Sequence, residues 1–123
     1  MRETPLILAV DDTPENLEIL SVRLEANGYE VQTAADGEEG LARARELEPD
    51  LILMDIQLPV LDGYETTRRI KADPALRHIP VIAVTSYALS GDEAKTKAAG
   101  CDGYVAKPFS PRQLLAKINE FLG

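Results

Sequence analysis

Short apolar runs recur along the chain, separated by longer stretches with helical spacing. Leu6–Val10, Leu51–Met54 and Val81–Val84 are continuous apolar runs, and Tyr104–Ala106 is a shorter one. Runs of this length bounded by turn residues predict buried strands. In Glu30–Ala34, Val31 and Thr33 alternate with polar neighbours. That period predicts a strand at a sheet edge, with one face toward water.

The intervening segments carry helix signals. Thr13 precedes Pro14, which suits a first helical position. Asp36 with Glu39, Asp62 with Glu65, Ser90 with Glu93 and Ser110 with Gln113 have the spacing of capping boxes. Gly28, Pro49, Pro74 and Gly100 mark the stops. Leu17, Leu20 and Leu24 share one face of the first helix. Leu114, Leu115, Ile118, Phe121 and Leu122 do so in the last. The fourth helix, about Gly91–Ala99, has Ala94, Ala98 and Ala99 but no large apolar residue. Helices in proteins are held mainly by packing an apolar face, so this one is expected to be weakly anchored. Strict alternation of strand and helix predicts a parallel sheet with helices on both faces, an α/β architecture.

The reactive residues fall where the apolar runs end. Leu6–Val10 leads into Asp11 and Asp12, Leu51–Met54 into Asp55, Val81–Val84 into Thr85, and Tyr104–Ala106 into Lys107 and Pro108. In an open parallel sheet, ligands bind outside the carboxyl ends of the strands. The pattern therefore places three carboxylates, a hydroxyl and an ammonium on one rim. Such a set suits a divalent cation together with a phosphoryl group.

Bulk properties narrow the reading. The 123 residues fit one domain, 45% of them are apolar, and the formal net charge is -8. An acidic protein is poorly suited to a phosphate backbone, so no direct contact with nucleic acid is expected. Cys101 is the sole cysteine and cannot form an internal disulfide. No secretory signal precedes the first strand, and no apolar run approaches the roughly 18 residues of a membrane span. A cytoplasmic protein without membrane insertion is expected. His78 lies in a polar loop and is expected at the surface. Cys101 lacks a basic neighbour in sequence and is expected to be a packing residue.

With Asp11-Asp12, Asp55, Thr85 and Lys107-Pro108 at successive strand ends, the chain resembles the receiver domain of two-component response regulators, of the stand-alone single-domain type. The stretch Asp55-Ile56-Gln57-Leu58-Pro59 followed by Asp62-Gly63 also matches that family. The resemblance covers the whole chain. It implies a flavodoxin-like doubly wound (βα)5 sheet of order 2-1-3-4-5 and a single domain over 1–123 with no output domain. It implies that Asp55 takes a phosphoryl group from a phosphohistidine. Asp11, Asp12, Asp55 and the backbone carbonyl of Gln57 would form the Mg2+ site, Asp11 through water. Lys107 and Thr85 would contact the phosphoryl oxygens, and Thr85 with Tyr104 would form the switch. A cis Lys107-Pro108 bond would help aim Lys107, and Tyr87 would shield the phosphoryl group from water. The implied partners are a sensor histidine kinase or histidine phosphotransfer protein and a downstream protein target. The implied state is a monomer or weak dimer.

Other readings fit less well. A dehalogenase-type phosphatase needs a second acid two residues after its nucleophile, and Gln57 stands there. A flavodoxin-like cofactor carrier needs a hydroxyl- and glycine-rich loop after the first strand, where this chain has Asp-Asp-Thr-Pro-Glu. A receiver domain excised from a hybrid histidine kinase or a longer regulator would share every feature above.

Overall fold

The computed structural model describes residues 4–85, 92–107 and 110–122. Strands β1 (Leu6–Val10), β2 (Glu30–Ala34), β3 (Leu51–Asp55), β4 (Val81–Thr85) and β5 (Gly103–Ala106) alternate with helices α1 (Pro14–Glu25), α2 (Gly37–Leu47), α3 (Gly63–Ala72), α4 (Asp92–Ala99) and α5 (Pro111–Leu122). The sheet is parallel in every pairing, with order β2-β1-β3-β4-β5. The alternating strand Glu30–Ala34 is indeed an edge strand.

Side-chain alternation splits the core between the two faces. Leu8, Val10, Ile52, Met54 and Val81 point to one face, where Leu41 and Ala44 of α2 and Ile70 of α3 cover them. Ile7, Leu51, Leu53 and Ile82 point to the other, against Leu24 of α1 and Leu114 and Ile118 of α5. Residues one apart on a strand serve opposite faces, so strands covered on both sides must be apolar throughout. All five residues of β1 and all five of β3 are buried. The order 2-1-3 reverses direction between β1 and β3, and the crevice of such a fold opens above that reversal.

The caps are formed with three differences from expectation. Ser110 and Gln113 cap each other reciprocally at 3.1 and 2.8 Å. Asp62 accepts from the Glu65 N–H at 2.9 Å, but the Glu65 carboxylate pairs with Arg68 and Arg69. Asp36 accepts from the Glu39 N–H, but the Glu39 carboxylate takes the N–H of Ala35 rather than that of Asp36. Thr13 makes no side-chain cap for α1; its own N–H is bonded to Asp11 Oδ1 at 2.9 Å. The start of α1 is thus tied to the acidic rim. The Ser90 cap lies outside the described residues.

Candidate functional site

Two buried strands deliver the acidic residues. Asp11 directly follows β1, and its N–H donates to the Ala34 carbonyl of β2 at 3.0 Å. Asp55 is the last residue of β3, and the next N–H, that of Ile56, donates to the Val84 carbonyl of β4 at 3.2 Å. Both strand ends are therefore held by the sheet on either side. Asp11 and Asp55 are 4% and 6% exposed, while Asp12 is open to solvent. One carboxylate oxygen from each of the three lies within 4.8 Å of the others.

Each buried carboxylate is oriented by neighbours. Asp55 Oδ1 accepts from the Gln57 N–H at 3.0 Å, and Asp55 Oδ2 accepts from Lys107 Nζ at 3.2 Å. The same ammonium lies 3.6 Å from Asp11 Oδ2. Asp11 Oδ2 also accepts from the Asn16 amide at 3.5 Å. Burial pushes the Asp55 carboxyl above its ordinary value, and the negative charge of Asp11 adds to this. The Gln57 N–H and Lys107 act in the opposite direction.

Lys107 follows β5 and is aimed by a backbone bond of 2.7 Å from its N–H to the carbonyl of Thr85. Thr85, at the end of β4, is fully buried and pairs with Ala106. Tyr104 pairs with Ala83 and is half-buried, with its hydroxyl oxygen shielded from solvent. The site residues named from sequence, Asp11, Asp12, Asp55, Thr85, Lys107 and Gln57, thus share the carboxyl edge of β1, β3, β4 and β5. Tyr104 lies within β5, further from the acids. Tyr87 and the Lys107-Pro108 bond lie outside the described residues. His78 is exposed, and Cys101 is half-buried with its thiol 3.7 Å from Thr67 Oγ1. Burial raises the Cys101 thiol above its ordinary value, which disfavours the reactive thiolate.

Three features escaped the sequence reading. Asn16 reaches back to Asp11 from the first turn of α1, a polar residue at a spacing that carries no motif. Gly63 lets α3 begin against the end of β3: a Cβ there would collide with the Asp55 carbonyl oxygen and with Ile56 Cα. Asp62-Gly63 gave a signal for this, read as a helix start and as part of the family match but not as a close approach to Asp55. A cavity of about 510 Å³ also opens beside Asp55 and Lys107, walled by Ala9, Leu53 and Val84 of the sheet and by Ile19 and Leu20 of α1.

Three converging carboxylates form an oxygen-only donor set, which fits a hard cation of the Mg2+ type. Lys107 supplies a fixed positive charge beside the same oxygens, where a phosphoryl group would need it.

Comparison with known proteins agrees with the geometry. The model for the response regulator receiver domain matches residues 7–119. The polar-differentiation response regulator DivK of Brucella ovis is 45% identical over 120 residues, covering 98% of each chain. The receiver domain of sensor histidine kinase PA1611 from Pseudomonas aeruginosa PAO1, solved with magnesium coordinated in its active-site cleft, is 40% identical. It superposes with a TM-score of 0.91 over 98% of each chain. The chemotaxis response regulator CheY4 of Vibrio cholerae is 33% identical, with a TM-score of 0.90 over 96% of this chain and 98% of that one.

Proposed function

The chain belongs to the response regulator receiver domain family, and on that premise we propose that Asp55 is its phosphoacceptor in a two-component phosphorelay. The observation that carries this reading is the convergence of Asp11, Asp12 and Asp55 with Lys107 bridging the two buried acids. An Asp55 carboxylate oxygen attacks the phosphorus of a phosphohistidine on a sensor histidine kinase or histidine phosphotransfer protein. The bond from phosphorus to the imidazole nitrogen breaks, and its electron pair stays on the imidazole. The product is an acyl phosphate on Asp55.

The chain's own residues prepare that step. The Gln57 N–H fixes one Asp55 oxygen, which leaves the other to act as nucleophile. Lys107 moves from the bare carboxylates to the phosphoryl oxygens and offsets their charge. The Thr85 hydroxyl donates to a phosphoryl oxygen, and Tyr104 follows it inward. Asp12, Asp55 and the Gln57 carbonyl would hold Mg2+ directly, and Asp11 through water. When bound, the cation supplies positive charge that lets three acids and a phosphate share one crevice. The protein is a phosphoacceptor that assists its own phosphorylation and dephosphorylation, not a turnover enzyme, and acts in the cytoplasm on a downstream protein target as a monomer or weak dimer. Likeness to the PA1611 domain, part of a sensor kinase, supports a second reading in which this is the receiver of a hybrid kinase.

Incubation with a phosphorylated histidine kinase, followed by intact-mass measurement, tests the reading. One phosphoryl group is expected on the wild type with Mg2+, and none on Asp55→Asn or with a chelator. Undiminished labelling of Asp55→Asn would overturn it.

A further inference from the structure

Helix α4 raises a question of anchoring. Its sequence has no large apolar residue, and the buried side chains among its described residues, Thr96 and Ala99, both lie in its last turn. Ala94, Lys95, Lys97 and Ala98 are exposed. Apolar burial of this size is too little to hold a helix of eight residues.

A polar assembly sits just beyond that last turn. Lys71, near the end of α3, donates from Nζ to Asp102 Oδ2 at 2.7 Å, to the Ile79 carbonyl at 2.8 Å and to the Arg77 carbonyl at 3.1 Å. An ammonium has three donors, and all three are used. The Asp102 oxygen that receives Lys71 also accepts the Val81 N–H at 2.9 Å, while the Asp102 N–H returns a bond to the Val81 carbonyl at 2.8 Å. The aliphatic stem of Lys71 lies on Gly100, where a Cβ would come within 2.9 Å of Lys71 Cγ. Gly100 has φ +103°, a conformation that suits glycine. Backbone bonds from Gly100 to Lys97 and from Cys101 to Thr96, each 3.0 Å, tie this turn back to α4.

We propose that Lys71 and Asp102 form a pin that fastens the C-terminal end of α4 to α3 and to the start of β4, and that this pin sets how readily α4 opens. An exposed ion pair between two free side chains contributes little, because ordering them offsets the attraction. This pair differs. The Asp102 side chain is 38% exposed, but that of Lys71 is 19% exposed and is held by two backbone carbonyls as well as by the carboxylate, and the same Asp102 oxygen is fixed by the Val81 N–H. The pin therefore links three segments distant in sequence and closes the turn that follows α4. The inference concerns the ligand-free chain and does not depend on the phosphoacceptor reading.

Amide hydrogen exchange of the full chain without ligand, compared for wild type and Lys71→Met, tests it. Methionine keeps an unbranched stem over Gly100 and removes the ammonium. Exchange at residues 96–102 is expected to quicken at least tenfold, with β1, β3 and α5 unchanged. Asp102→Asn keeps the acceptor oxygen and loses the charge, so a smaller rise confined to the same residues is expected; it carries the test if Lys71→Met does not fold. Unchanged exchange at 96–102 would overturn the pin. So would an equal rise in β1 and β3, which would make the pair a general stabiliser.

Discussion

Asp11 and Asp55 stand at the ends of β1 and β3, every residue of which is buried, whereas Lys107 follows β5, where only Val105 is buried. The contrast extends to the flanking helices. The acid side rests on large apolar side chains such as Leu53, Met54 and Leu8, all 2% exposed or less. On the other side, Val105 of β5 packs against Leu114 and Ile118 of α5, while α4, whose buried residues among those described are Thr96 and Ala99, lies against α3 next to the polar contacts of Lys71 with Asp102. A nucleophile must be held in place to react. A segment that reports the reaction must be cheap to move, and local stability follows the apolar contacts a segment makes. If Asp55 is the phosphoacceptor proposed above, these two demands fall at opposite sides of one rim.

Truncating each side should give unequal losses. Leu53→Ala, beneath the acids, is expected to cost about 2–5 kcal/mol, the range for a buried leucine that leaves a cavity. Val105→Ala in β5 is expected to cost about 2 kcal/mol, and Thr96→Ala in α4 about 1 kcal/mol or less. Urea unfolding of the three variants checks the order. A Thr96→Ala loss as large as that of Leu53→Ala would break the contrast.

Gly63→Ala tests how tightly the acid side is built. The added methyl meets the Asp55 carbonyl oxygen, and backbone cannot rotate away as a side-chain tip can. A loss of about 1–3 kcal/mol is expected, with slowed phosphorylation of Asp55. Wild-type stability together with wild-type labelling would show that this approach is not tight.

Much of this arrangement was legible in the sequence, for a physical reason. A buried parallel strand must be apolar on both faces, so its end is marked by the first polar residue, and Asp11, Asp55, Thr85 and Lys107 are those residues. The capping residues Asp36, Asp62 and Ser110 announce their helices through local bonds within three residues. The lack of a large apolar residue in α4 was legible too, from its composition. What replaces the missing apolar face was not. Lys71 and Asp102 are 31 residues apart, and their meeting depends on the completed sheet. The bond from Asn16 to Asp11 and the cavity beside Leu20 likewise arise only when α1 settles on β1 and β3.

The charge state of Asp55 sharpens the contrast on a smaller scale. Burial raises its carboxyl above the ordinary 3.8, so the folded protein binds this proton more tightly than the unfolded chain. Stability from this group is then full below the ordinary value and is lost as pH rises through the raised one. Asp55→Asn removes that loss. In a chelator at neutral pH it should stabilise the fold by about 1 kcal/mol, with the gain shrinking as pH falls toward 3.8. Denaturant midpoints across pH check the sign; a gain that grows at low pH would contradict the burial argument.

The division of the rim is tested most directly by hydrogen exchange with and without beryllofluoride and Mg2+, in which beryllofluoride stands in for a phosphoryl group on Asp55. A ligand can shift a two-state segment only through its different interaction with the two states, and the segment with least to lose moves first. The largest changes are expected in α4, β5 and the end of β4, with little change in α1 and α2. Changes concentrated in α1, or no change at all, would contradict that division.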